Sequence, residues 1–470
     1  MTARIFAPDS VRTFSELERE VVGVAEALRQ RGAGPGVRVM LKAGNSAGYV
    51  STLFALMHVG ASIVLVDQQE RPEETRRIAQ RASVKLIIAD DDAPLADVDD
   101  TSFIYELMID APGFAPAYPR VSFEDWCELP DSLLMWSSGS TGEPKGIVKN
   151  GGRFLRNLRR NADQVGHTEQ DVLLPLLPFS HQYGLSMVGI AWLARCSLVI
   201  APYRRPDRAM LMAGQCGATV VDATPATYRS MLNILRKRPQ VKDQLRTVRM
   251  FCSGAAPLDG PLVDAYVEEF GLPLLDSYGS TEAGNVAFAT SENAVGCGRA
   301  MPGLTVEAVD DEDRPVAAGE VGELIIHTPD ILTGYLAEDG TVAPVDQETY
   351  RSGDFGYLDP DGNVFVLGRK FAVHRNGFTL YPEIIERKLS AAGCSAKLIA
   401  LPDEQRGARL TLFVEDEQLR EPAHWRPLVD DVLAESERPN RIRVIERFPL
   451  NRNGKPDRGQ LTELATGAGE

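Results

Sequence analysis

Trp136-Ser-Ser-Gly-Ser-Thr-Gly-Glu-Pro-Lys-Gly146 packs three glycines, four hydroxyls and a lysine into eleven residues. The glycines let backbone N–H groups converge, and the hydroxyl and ammonium donors crowd the same turn. That is the chemistry of an anion cradle for polyphosphate. No Gly-Lys-Ser/Thr triplet closes it, and strand-like Ile147-Val148 follows where a Walker A loop requires a helix. Taken alone, the stretch reads equally well as a flexible hairpin loop.

Upstream, Thr13-Phe-Ser-Glu16 has the form of a capping box ahead of Leu17, Val21, Val24 and Leu28, which are apolar at helical spacing. Strand-like runs at Val37–Leu41, Ile63–Val66 and Leu86–Ala89 alternate with helical patterns, which predicts βαβ units and a largely parallel sheet. The alternation resumes from 171 to 290. There Val248–Cys252 and Leu274–Asp276 each end in a loop of small residues, Ser253-Gly-Ala-Ala-Pro-Leu258 and Ser277-Tyr-Gly-Ser-Thr-Glu-Ala-Gly284. In open α/β sheets ligands sit at such carboxyl ends. After about 300 the pattern turns to short alternating strands, and beyond Gly368-Arg-Lys370 a separate small α+β unit is expected. The expected fold is therefore α/β, with stacked βαβ layers and a small β-rich part over 1–369, then a small α+β domain over 370–470.

The 470 residues carry Lys+Arg 50 against Asp+Glu 66, a net charge of −16, which argues against a nucleic-acid or polybasic membrane binder. Six cysteines lie far apart without a C-x-x-C pair, so neither a zinc site nor a disulfide framework is indicated. The N-terminus lacks signal-peptide character. The most apolar stretch, Gly184 to Pro202, is broken by Arg195 and is too short to span a bilayer. A reduced, cytoplasmic protein is expected.

Tyr278-Gly-Ser-Thr-Glu282 offers an aromatic face for a base and a carboxylate suited to Mg²⁺ beside phosphates. By itself it reads rather as a tight turn with a surface glutamate. Arg351-Ser-Gly-Asp354 reads as a hairpin turn or as a carboxylate for a ribose diol, and Asn453-Gly-Lys-Pro-Asp457 as a plain turn. Gly44-Asn-Ser-Ala-Gly48 fits the nucleophile elbow of an α/β-hydrolase with Ser46 as nucleophile, but only one strand is expected before it. An ordinary helix N-cap at Asn45 or Ser46 explains the residues.

Together and in this order, SSGSTGEPKG, YGSTE, RSGD, GR and NGK resemble the adenylate-forming superfamily: acyl-CoA synthetases, adenylation domains of nonribosomal peptide synthetases, and beetle luciferases. The resemblance runs from the Thr13 helix to Arg458. It implies a large N-terminal region and a mobile C-terminal domain closing over it, with ATP, Mg²⁺ and coenzyme A (or a carrier-protein phosphopantetheine) as reactants. It also implies roles. Ser138, Gly139, Ser140, Thr141, Gly142 and Lys145 would handle the β- and γ-phosphates of ATP. Gly254, Ala255, Ala256, Pro257 and Tyr278 would border the adenine, Thr281 would contact phosphate, and Glu282 would coordinate Mg²⁺. Asp354 and Arg369 would hold the ribose, Lys455 would reach the reacting carboxylate and α-phosphate, and Gly377 would line the thiol tunnel.

Pro178-Phe-Ser-His-Gln-Tyr-Gly-Leu185 resembles the H-x-Y-G-L pattern of acyl- and aryl-acid activators, with His181 at the carboxylate side of the pocket. Amino-acid activators carry an aspartate there. Between Pro178 and Met210 the only carboxylate is Asp207, which disfavours an α-amino acid. Met187, Val188 and Trp192 suggest an apolar acid body, or ordinary core. Between Arg369 and Gly377 the chain is one residue shorter than the common pattern. The hinge therefore falls on Lys370 or Phe371, and the basic residue before the glycine is His374 or Arg375. The expected activity is an acid–CoA ligase. The alternatives are an enzyme loading a carrier protein or passing its adenylate to a partner and, remotely, the hydrolase.

Overall fold

The capping box at Thr13 closes as its spacing requires. Thr13 Oγ1 accepts the Glu16 N–H at 3.3 Å, the Glu16 carboxylate accepts the Thr13 N–H at 2.7 Å, and helix Phe14–Gln30 buries Leu17, Val21, Val24 and Leu28. The computed structural model describes residues 3–95, 100–114, 120–137, 145–310, 312–345, 348–369, 373–375, 378–403, 407–451 and 455–467.

Two large sheets dominate. One runs, in spatial order, through Arg299–Ala300, Gly284–Phe288, Leu274–Ser280, Met250–Ser253, Val220–Ala223, Val172–Pro175, Ser197–Val199, Arg4–Ala7 and Ser10–Thr13, with a parallel interior. The other contains Arg38–Lys42, Ser62–Val66, Leu86–Ala89 and Thr101–Phe103 in parallel with Leu133–Ser137. Strand Lys145–Lys149 is added antiparallel beside Leu133–Ser137. The expected βαβ alternation is thus present twice. One apolar core joins Leu41 and Leu65 of one sheet to Leu173 and Leu198 of the other through Val24, Phe54, Leu158 and Leu185 of the helices between them. Further helices cover both outer faces, giving helix, sheet, helix, sheet, helix layers.

Met187 and Val188 are buried in that interlayer core. Trp192 stacks within 6.0 Å of Phe14, 4.8 Å of Phe54 and 5.4 Å of Phe123. Of the two readings of these residues, the structure supports core. Tyr278, Gly279 and Ser280, expected in a strand-end loop, lie on the strand itself, because Gly284–Phe288 folds back and pairs with it. Arg351–Asp354 is no hairpin turn: it lies within the long strand Thr349–Leu358 of a four-stranded antiparallel sheet completed by Thr305–Val309, Gly322–His327 and Val364–Arg369.

Three strands, not one, precede Ser46, since Arg4–Ala7 and Ser10–Thr13 form a hairpin at the edge of the other sheet. The hydrolase reading still fails. Ser46 Oγ accepts the Tyr49 N–H at 3.0 Å as an ordinary N-cap, and Asn45 bridges Leu177 O and Phe179 N at 2.8 Å each. Beyond 373, a hairpin, helix Pro382–Ala391, strands Ala396–Asp403 and Gly407–Glu415, helix Pro422–Val432 and strand Arg441–Ile445 follow the expected order, with a last helix Arg458–Thr466. Among the described residues no helix is long and apolar enough to cross a membrane.

Register in the first sheet is pinned by a buried charge. Asp171, only 3% exposed, accepts Arg249 Nε and Nη2 at 2.8 and 2.7 Å, Thr219 Oγ1 at 2.8 Å and the Thr168 N–H at 2.8 Å. Burial pushes its carboxyl up, but these donors outweigh it and hold Asp171 at about 2. A carboxylate depressed in the folded state contributes stability above its unfolded value and loses it as pH falls toward the folded one. Asp171→Asn should therefore cost about 2 kcal/mol or more at pH 7. The gap to the parent, read from urea unfolding, should shrink as pH drops from about 4 toward 2.

Candidate active site

Tyr278, Thr281 and Asp354 stand where the two large sheets meet each other and the antiparallel one. Strand Leu274–Ser280 presents Tyr278, and the turn after it presents Thr281 and Glu282. Across the junction, strand Lys145–Lys149 contributes both of its lysines. Lys149 is 2% exposed; its Nζ donates to the Thr281 carbonyl at 2.8 Å and to Gln182 Oε1 at 3.3 Å. Burial draws this ammonium down to about 8, while Glu282 and Asp330 hold it up, so it stays charged at neutral pH. Lys145, exposed, stands 5.8 Å from the ring of Tyr335, whose phenol is pushed up to about 12 by burial and then by Glu282.

Tyr278 OH donates to Asp354 Oδ2 at 2.7 Å, joining the parallel sheet to the antiparallel one. Asp354 is directly opposite Arg369 in the ladder between Thr349–Leu358 and Val364–Arg369, so the two residues expected at a ribose are register partners. Gly254 to Pro257 follow strand Met250–Ser253. A Cβ on Gly254 would stand 2.5 Å from Ser277 Oγ and 3.0 Å from Tyr183 Cε1, so only glycine lets this loop close on the next strand. Ala255 holds φ +67°, the left-handed region that a non-glycine residue occupies only where its surroundings impose it.

His181 is the N-cap of helix Gln182–Ala194, and Gly184 lets that helix close on its entry, since a Cβ there would meet the Pro178 carbonyl at 2.1 Å. His181 Nε2 is buried, lacks a hydrogen-bond partner and lies 3.8 Å from Asp67 Oδ2. Burial pushes Asp67 up, but His181, the Gln69 N–H and Arg204 together hold it below the usual carboxylate range. Tyr183 OH donates to Asp222 Oδ1 at 3.0 Å. His181 and Tyr183 thus each meet a carboxylate from elsewhere in the chain.

Lys455 lies ahead of the last helix in a loop clasped by Asn451, whose Oδ1 accepts the Lys455 N–H at 3.1 Å and whose N–H donates to the Lys455 carbonyl at 2.7 Å. Of the two basic candidates before Gly377, Arg375 is buried and donates to the Arg438 carbonyl at 2.7 Å. Ser138 to Gly142, Lys370, Phe371 and Gly377 lie outside the described residues, as do the side chains of Arg369 and His374.

Sequence reasoning missed Lys149 and Asn157. Asn157, 2% exposed, offers its amide to both the N–H and the C=O of Asn285 at 2.9 Å and so fixes the turn that carries Glu282. The available signal was a polar residue on the apolar face of its helix, between Phe154 and Leu158. Among the described residues no cluster of three His, Cys, Asp or Glu could hold a metal by itself. Glu282, 9% exposed, is a single hard oxygen donor, which suits Mg²⁺ when substrate phosphates and water complete its coordination. Lys149→Met should lower stability by about 1–3 kcal/mol in urea unfolding, because the Thr281 carbonyl loses its buried donor.

Residues 2–336 match the AMP-binding enzyme family. A 2-succinylbenzoate–CoA ligase of Bacillus cereus is 26% identical over 461 residues, covering 96% of this chain and 93% of the relative. A feruloyl-CoA synthase of an Amycolatopsis species is 27% identical over 467 residues, covering 96% and 93%. ATP-bound MatB from Rhodopseudomonas palustris shares the fold at TM-score 0.85 and 22% identity, covering 100% of this chain and 97% of its own. Since the family match spans most of the chain, the protein belongs to the AMP-binding enzyme family.

Proposed function

We propose that the protein is an AMP-forming acid–thiol ligase. It activates a carboxylic acid without an α-amino group to an acyl-adenylate, releases pyrophosphate and passes the acyl group to coenzyme A, in the cytoplasm. The observation that carries this reading is the junction where the Glu282 turn, the Tyr278–Asp354 bond and the Asp354–Arg369 register pair stand on adjoining strands. Of the relatives described above, one is named a 2-succinylbenzoate–CoA ligase and the other a feruloyl-CoA synthase.

In the first half-reaction a carboxylate oxygen attacks the α-phosphate, the bond to the β-phosphate oxygen breaks, and pyrophosphate leaves. Two anions must meet, so the protein's task is positioning and neutralisation. Lys455 would stand between the carboxylate and the α-phosphate, with Lys145 and residues 138–142 on the β- and γ-phosphates and Thr281 beside them. Asp354 and Arg369 would hold the ribose, Tyr278 and Gly254 to Pro257 the adenine, and His181 the carboxylate end of the acid. Mg²⁺ held by Glu282 would neutralise phosphate charge. In the second half-reaction a thiolate attacks the acyl carbonyl and AMP leaves. We assign residues 370–470 to a domain that turns about Lys370 or Phe371, presenting Lys455 for the first step and Gly377 for the second.

Pyrophosphate exchange should respond to simple carboxylic acids and not to proteinogenic amino acids, and Glu282→Ala should lower it by at least about a hundredfold. Exchange with amino acids alone overturns the reading. Lys455→Ala should abolish adenylate formation while thioester formation from supplied acyl-adenylate survives, and Gly377→Trp should do the reverse. Equal depression of one half-reaction by both contradicts the two-face arrangement. Loss of thioester formation with coenzyme A but not with a phosphopantetheinyl carrier protein transfers the second step to that acceptor.

A further inference from the structure

Asp222 is the third residue of strand Val220–Ala223 in the middle of the first sheet, 3% exposed, with its side chain toward helix Gln182–Ala194. Its Oδ1 accepts the Tyr183 hydroxyl at 3.0 Å; its Oδ2 is buried and has no hydrogen-bond partner. An orphaned carboxylate oxygen inside a protein is costly, and such atoms recur where a ligand completes them. The neighbours set what that ligand can be. In register beside Asp222 stand Pro175, which has no N–H to offer, and Cys252. Tyr183 lies with its ring against Gly254, and its second neighbour in the chain is His181, whose buried Nε2 faces the Asp67 carboxylate at 3.8 Å. The unfilled Asp222 oxygen therefore stands beyond the Tyr183 hydroxyl, while His181, two residues before Tyr183, sits with Asp67 at the helix N-cap.

We infer that Asp222 is a specificity-determining residue, its free Oδ2 accepting a hydrogen bond from a hydroxyl or neutral amino group on the body of the acid, remote from the carboxyl group held at His181. This rests on the acid-activation reading above. Burial pushes Asp222 up to about 7 and the Tyr183 hydroxyl draws it back; in its carboxylate form it is an acceptor at both oxygens. A cationic ammonium is not required, and the inference is compatible with the absence of an α-amino group. Discrimination of this kind is strong, because an analogue lacking the donor leaves a buried polar atom unpaired.

The test is pyrophosphate exchange by the full chain with matched acids: benzoate against its 3- and 4-hydroxy, amino and methoxy derivatives, whose aromatic amines are neutral, and hexanoate against 6-hydroxyhexanoate. At least one donor-bearing acid should exceed its unsubstituted partner in kcat/KM by about tenfold to a hundredfold. The hydroxyl and amino arms identify which donor is used. Asp222→Asn, which puts an amide N–H₂ at the place of one carboxylate oxygen, should bring that ratio to about one or shift it toward the methoxy acid. A merely structural Asp222 would change the melting temperature and leave the ratio where it was. Exchange with these acids but ratios below about threefold throughout overturns the inference and leaves the activation reading intact. Exchange with no acid at all overturns both. The wild-type ratios decide the matter even if the variant does not fold.

Discussion

A buried ammonium bonds the two sheets together at the place where the chemistry is assigned. Lys149 ends a strand of one sheet, and its Nζ donates to the carbonyl of Thr281 in a turn of the other and to Gln182 on the helix between them. Desolvating a lysine is unfavourable, and here three elements must be in place to offset it. Loss of any one leaves a charge or a carbonyl unpaired in the interior. The turn bearing Glu282 is thus held by the same contact that closes the interlayer core, which ties the precision of the site to the stability of the fold.

Around that contact the rest of the junction is built from polar groups that bridge layers. Asn157 offers its amide to both backbone groups of Asn285, and Asp330, fully buried, accepts Arg156 at 2.7 Å and Arg160 at 3.2 Å from the same helix. Tyr278 and Asp354 carry the connection on to the antiparallel sheet. Each of these gives a buried polar group its partner from an element far apart in sequence, and such pairs specify one arrangement where apolar packing alone would tolerate several. A nucleotide-handling site needs that rigidity, because the reaction is accelerated by groups already in position.

The sequence by itself determined the alternation of strands and helices, the capping box at Thr13, the N-cap at Ser46, the order of the C-terminal elements and the motifs that mark nucleotide chemistry. All are local, set by side-chain periodicity, by glycine and by hydrogen bonds spanning three or four residues. Tertiary structure alone decided the rest. Tyr278 to Ser280 belong to a strand because a later segment folds back to pair with them, Arg351 to Asp354 lie mid-strand for the same reason, and Met187, Val188 and Trp192 face a core made by two sheets. No carboxylate stands in the chain from 178 to 206, yet Asp67, just past a strand, and Asp222, within one, reach His181 and Tyr183 from over a hundred and some forty residues away. Burial, register across a ladder and the partner of a buried charge are properties of pairs distant in sequence, and a pattern read along one chain carries no record of which pairs will meet.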